Sequence, residues 1–591
     1  MIYLEVIMRY IFCLFLFVSC SIQQVNEVIE TKNRPWYVES NKIAMEFTRD
    51  ISEIYPEIGS SFGYGEFDKK GMNLNSKTLA KKKKLLRKWL KKLSNLVTKT
   101  HSKHLKADMM ILKDYVQRDL DWIYAEEKLA FIPFYAASEL IYHHLATLIN
   151  DQSPLKRKKD AVARFKFYMN DKNKNNLVDA FLNETNRFEK QYKDLNKLYP
   201  YKGEVKKYLE NSKSYVAGIK DLLEKSGRDD WKDAYQILKA KITYYDNYIK
   251  TNFLKKTRDK ANLPFELYKM NLRDSGVTKE PVDLIKRGKK DYKRIYRQFI
   301  KLAKKIAKKH SLKSDDPVSV IRYLKEKQVT SLQDVEKLYQ NANRKLERII
   351  KKHSLITLPK SELQIRLAGD VESKAKPVPH LNPPPLVNND GILPEFVVPT
   401  STSGELPFDD FSYESAAVIL TAHEGRPGHD LQFSRIVENE VSFIRARYAM
   451  NSTNVEGWAL YAEDLVFPYL DLEEKFIALQ TRLWRVARYY LDPMVQIAQA
   501  SSEDVIRVFH ENLGVSKKMA ELEYQRYAYR SPGQATAYYE GLLMISKLKD
   551  DLQQKYGKLN LKCFNDTFVS FGLLPPAKMK LFYEDFKKCK K

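Results

Sequence analysis

Apolar residues recur three and four apart along most of this 591-residue chain, a spacing that builds amphipathic helices packed on one another. Leu86, Trp89, Leu90, Leu93 and Val97 form one such stripe, with Lys81 to Lys84, Lys88, Lys91 and Lys92 mostly on the opposite face. Ile295, Phe299, Leu302 and Ile306 repeat it, as do Val335, Leu338, Ala342, Leu346 and Ile349. Helix-start signals fall where this reading needs them: Pro317 follows Asp315 and Asp316, and Ser331 with Asp334 reads as a capping box. No internal period of about 20–50 residues recurs, which excludes a solenoid. With 43% hydrophobic residues the chain can bury a large core and divide into more than one domain. The expected fold is mainly α, a large multi-helix assembly.

The pattern breaks over residues 376–407, KPVPHLNPPPLVNNDGILPEFVVPTSTSGELP. Proline removes a backbone donor and blocks helix, so this stretch is read as a crossing segment between an N-terminal helical lobe (21–375) and a C-terminal helical lobe (408–591). Its one strand-like run is Glu395 to Val398, and the prolines on either side predict an edge strand. An edge can receive an extended peptide, which makes Phe396 and Val398 candidate substrate-binding residues; the alternative is a plain linker. His380 reads as a surface residue.

The chemistry concentrates at His423 to His429, HEGRPGH, followed by Glu456. Two imidazoles and a carboxylate are the ligand types of a hydrolytic zinc site, and Glu424 is then placed to act as general base. The spacing differs from the familiar HExxH helix. Six residues at about 100° each would turn the two histidines roughly 120° apart on an unbroken helix. Pro427 and Gly428 lie between them, and a break there would redirect His429; the alternative is a helix that simply ends. Tyr413, Ala416, Ala417, Ile419 and Leu420 supply the apolar side of a helix leading into His423. Glu456 and Glu463 are seven apart, on one helical face, which suits one ligand and one carboxylate that orients a ligand histidine.

Four motifs occur in order: His423 to Gln432, EGWALYAE from Glu456 to Glu463, Arg485 with Arg488 and Asp492, and RYAYRSPGQATAYYEG from Arg526 to Gly541. Together they resemble the bacterial domain-of-unknown-function 885 family, over about residue 40 to the end. The resemblance implies a zincin-like fold with a small edge β element near an active-site cleft, and a zinc metallopeptidase activity. It implies His423, His429 and Glu456 as metal ligands, Glu424 as base, and Tyr538 as the phenol that stabilises the oxyanion, with Tyr539 as its rival. It also implies Arg526 and Arg530 as substrate-carboxylate binders, unless they pair with Glu523 and other acids. One departure stands out: Gln496 occupies a position where the family often has histidine.

The formal charge of +27, from 102 Lys and Arg against 75 Asp and Glu, is spread over helix exteriors with no nucleic-acid-binding motif among the basic runs. We expect no specific nucleic-acid partner, and read the charge as solvated faces with an attraction to anionic membranes or acidic envelope polymers. Residues 1–20 read as a signal peptide ending in a lipobox-like Phe17-Val18-Ser19-Cys20, with Cys20 as the lipidation site and a bacterial cell-envelope location. Cys563 and Cys589 could pair in such a compartment. The expected partners are a peptide substrate and, through the lipid, a membrane. Two other classes stay open: a non-haem iron enzyme using the same two histidines and one carboxylate, which would not need Glu424, and a non-catalytic envelope lipoprotein.

Overall fold

The computed structural model describes residues 35–170, 176–329, 331–369, 372–373, 376, 378–387, 389, 391–399 and 409–591. The signal segment and Cys20 lie outside the described residues. Among the described residues, regular structure is helical apart from one three-stranded sheet and isolated bridges, so the fold is mainly α with a small β element. No described helix is long and apolar enough to cross a membrane.

Two compact units emerge. The first holds the described residues up to Ala261 together with Pro384–Ile392 and Ser442–Ala449. Its main helices are α1 (Pro35–Ser52), α2 (Thr78–Lys99), α3 (Lys103–Lys128), α4 (Ala137–Ala146), α5 (Lys202–Glu224) and α6 (Lys232–Tyr248). In α2 the apolar stripe turns inward through Leu86, Trp89 and Leu93, with Leu90 and Val97 only half-buried. Lys82 departs from the basic outer face: it is fully buried, with Nζ 3.2 Å from Asp119. Residues 442–449 are tied into this unit by Arg445 Nε, which donates to Asp108 Oδ1 at 2.7 Å.

The second unit comprises Asn262–Pro383, Leu393–Val441 and Met450–Lys591. It contains α7 (Pro281–Lys309), α8 (Leu332–His353), strands β1 (Gln364–Leu367), β2 (His380–Asn382) and β3 (Glu395–Val398), then α9 (Glu414–Glu424), α10 (His429–Glu438), α11 (Ser452–Val466), α12 (Leu472–Gln496), α13 (Ala537–Tyr556) and α14 (Leu561–Ser570). The helices preceding the Pro-rich segment, α7 and α8, thus belong with the C-terminal ones. Helix α7 runs along α12, where Phe299 stacks on Phe476 with ring centroids 4.4 Å apart. The predicted cap forms at Ser331, whose Oγ accepts from Asp334 N at 3.1 Å. Cys563 and Cys589 form a disulfide with Cα atoms 5.3 Å apart.

The sheet corrects the strand expectation. Its order is β1-β3-β2, with β1 parallel and β2 antiparallel to β3. Glu395–Val398 is therefore the middle strand, its backbone groups taken by neighbours on both sides. Phe396 and Val398 are buried and cannot receive a substrate backbone. The flanking prolines only bound the strand, whereas coverage comes from β1, upstream of the Pro-rich segment, and from β2 within it. His380 is likewise not a surface residue: it is half-buried in β2, with Nδ1 3.0 Å from Val378 O.

Candidate metal centre

Helix α9 ends at Glu424 and α10 begins at His429. Between them the Arg426–Pro427 peptide is cis, and the chain folds back on α9. A side chain on Gly428 would strike the carbonyl oxygen of His423 and lie 2.6 Å from that of Ala422, so only glycine fits this return. Trp458 Nε1 holds the turn from below, 3.1 Å from Pro427 O and 3.2 Å from Gly428 O. Arg426 braces it laterally, donating to Asp430 Oδ2 at 2.6 Å and to Glu347 Oε1 at 2.7 Å. This break brings the two imidazoles together with ring centroids 4.9 Å apart and planes at 82°.

Glu456, from α11, faces both. Its Oε2 lies 3.5 Å from His423 Nε2 and 3.4 Å from His429 Nε2. All three side chains are buried, and one atom from each lies within 4.8 Å of the others. Ligands about 2.0–2.2 Å from a tetrahedral zinc are separated by roughly 3.3–3.5 Å, so the two His–Glu separations have the length of a zinc polyhedron edge. Oε2 of Glu456 is buried yet has no hydrogen-bond partner among the described residues, as expected of an atom whose partner is a cation. These residues fit a divalent metal of the zinc class. Without one, burial works against charge on both sides, but the His–Glu contacts outweigh it: they hold Glu456 well below the usual carboxylate range and raise His423 to about 9.

Glu463, two turns further along α11, takes the remaining nitrogen of His423, with Nδ1 to Oε1 at 2.8 Å. Burial disfavours its charge, yet Arg485, 3.7 Å away, and His423 hold it below the usual range. Nδ1 of His429 is buried without a hydrogen-bond partner among the described residues, so only one of the two imidazoles is oriented by a carboxylate. Glu424 is the partly exposed member of the HEGRPGH run, and its Oε2 accepts from Leu381 N at 2.9 Å. That bond shows that the backbone of β2 at Leu381 points away from β3 and toward Glu424.

Tyr538 and Tyr539 part company. The Tyr538 ring lies parallel to His423 with centroids 6.2 Å apart, and its hydroxyl accepts from Arg526 Nη2 at 2.9 Å. Tyr539 turns away to donate to Asp291 at 3.1 Å. The approach of Tyr538 depends on two glycines that let α11 and α13 touch: a side chain on Gly457 would lie 2.6 Å from Gly541 Cα, and one on Gly541 2.7 Å from Gly457 Cα. Arg488 and Arg526 stand over the Tyr538 ring at 4.8 and 5.2 Å. Arg488, with no role in the sequence reading, occupies Glu523 bidentately at 2.8 and 2.6 Å. Arg526 instead bonds Gln534 and Tyr538, and Arg530 is exposed at the end of its turn.

Two further residues hold the loop before Tyr538. Asp492 is fully buried and accepts from Tyr268 Oη and Gly533 N, each at 2.9 Å; burial pushes its carboxyl up to about 7. Gln496 spends both ends of its amide on backbone, donating to Tyr527 O at 2.7 Å and accepting from Leu263 N at 2.9 Å. The glutamine at this position is thus engaged with local backbone on both sides.

A family model described as bacterial protein of unknown function (DUF885) matches residues 56–580. No curated protein matches the sequence significantly. Two solved structures share the fold, and each is described as a "putative lipoprotein". One, from Colwellia psychrerythraea, has a TM-score of 0.74 at 16% identity and covers 94% of this chain and 99% of its own. The other, from Shewanella oneidensis and of unknown function, has a TM-score of 0.72 at 19% identity, covering 92% and 99%.

Proposed function

The chain belongs to the bacterial DUF885 family, and within it we propose a zinc-dependent hydrolase that cleaves peptide bonds. The observation that carries this reading is Glu456 Oε2 lying 3.4–3.5 Å from both imidazole nitrogens, with Glu424 beside them and partly exposed. A zinc ion held by His423, His429 and Glu456 would supply Lewis acidity and make water a nucleophile near neutral pH.

The protein's own groups divide the remaining work. Glu424, steadied by Leu381 N, takes the proton from the attacking water and passes it to the leaving amine. Tyr538 donates to the oxygen that becomes negative in the tetrahedral transition state. Arg526, donating to the phenol oxygen, makes that phenol a stronger donor. Arg488 and Arg526 on the ring keep it in place. The one outward N–H of β2, at Leu381, is taken by Glu424, so neither β2 nor the covered Phe396 and Val398 of β3 is given the role of meeting an extended substrate backbone. Arg530, exposed at the end of its turn, stays a candidate for holding a substrate carboxylate.

The lipobox-like Phe17 to Cys20 and the descriptions of the two fold relatives support placement in the bacterial envelope through a lipid on Cys20. Metal analysis of protein purified without chelators, joined to a peptide-library digest, tests the reading. One zinc per chain and cleavage, both lost in His423→Ala, are expected. Stoichiometric iron with zinc also available, or a zinc-loaded protein that cleaves nothing, would overturn it.

A further inference from the structure

Helix α7 carries Lys286, Lys290, Lys293, Arg297, Lys301, Lys304 and Lys308, all exposed. Successive members are three or four residues apart. At about 100° per residue they fall within an arc of roughly 80°, and at 1.5 Å per residue they span roughly 33 Å. The opposite face, with Leu284, Ile295, Phe299, Ala303 and Ile306, is buried in the unit's core. Asp283, in the first turn, is the exposed acid of the helix. Asp291 is buried and pairs with the flanking Arg287 and Arg294. Among the described residues none of the seven has an ion-pair partner.

This spacing works against the helix. Like charges three or four apart repel along its surface, and a mixed set of charges would keep the face solvated without that cost. A line of cations with no acid among them is complementary to an extended anionic surface. Tyr292 and Tyr296 lie off the stripe, stacked on each other at 5.8 Å, so it presents no rings for bases. We propose that the α7 stripe is an electrostatic docking face for an anionic bilayer, binding the phosphates of lipid headgroups. This assignment is independent of the peptidase reading and of the lipid on Cys20.

The test uses the chain from Ser21 onward, which keeps every described residue and cannot be lipidated at Cys20. Sedimentation with vesicles should show binding to phosphatidylcholine–phosphatidylglycerol mixtures, little to phosphatidylcholine alone, and release by salt. Each basic residue near such a surface is worth about fivefold in partitioning, so Lys290→Gln, Lys293→Gln and Lys301→Gln combined should weaken binding about a hundredfold. The same change on α2 (Lys81→Gln, Lys84→Gln and Lys91→Gln) should leave it nearly intact. A melting temperature no lower than that of the parent shows that the α7 variant is folded. Equal binding to both vesicle types, equal loss from the α2 variant, or loss of affinity for a DNA duplex with vesicle binding unchanged would each overturn the proposal.

Discussion

Nδ1 of His423 lies 2.8 Å from Oε1 of Glu463, and that bond directs Nε2 of the same ring toward Glu456. Orienting bonds of this kind typically contribute 10- to 100-fold in metal affinity. Glu463→Gln should therefore lower zinc affinity by about that factor without removing the site. Competition titration against a chelator measures it, and unchanged affinity would mean that packing alone orients the ring.

Glu424→Gln is nearly isosteric, but its amide cannot accept a proton from water. Zinc content should stay and turnover should fall by orders of magnitude. Retained turnover would exclude this residue as the base.

Tyr538→Phe removes one oxyanion donor, a loss that costs about 10²–10³ in kcat with KM little changed. Tyr539→Phe should leave kcat near the parent value, since its hydroxyl serves Asp291. If the two effects are exchanged, so are the roles.

Gly541→Ala forces a methyl against α11 at Gly457. Overpacking of this sort costs about 1–3 kcal/mol, read as a lower denaturation midpoint. Activity should fall further than stability, because Tyr538 is carried on the displaced helix.

Asp492 supplies a pH dependence of stability. Burial raises its folded pKa to about 7, above the value of about 3.9 in an unfolded chain. The folded state therefore binds more protons between these values, and stability from this group is present below about pH 4 and lost as pH rises through about 7. Asp492→Asn should flatten that part of the stability profile relative to the parent, as measured by urea unfolding at several pH values. An unchanged slope would place the Asp492 pKa near its ordinary value.

The sequence by itself determined the helical class, because the 3.6-residue period is a local property that burial reads directly: Trp89, Phe299 and Leu346 all turn inward where it places them. It also located the break at Pro427-Gly428, since both residues act on their own backbone, and it named the side chains that the fold gathers around Glu456. Whatever depends on partners distant in the chain was decided by tertiary structure. Strand periodicity could not reveal that β3 is covered on both edges, since the covering strands come from Gln364–Leu367 and His380–Asn382. Adjacent residues on a helix differ by about 100° in direction, so only the close crossing of α11 and α13 at Gly457 and Gly541 chooses Tyr538 over Tyr539. Arginines likewise take partners by proximity: Glu523 went to Arg488, and Arg526 was left to the phenol.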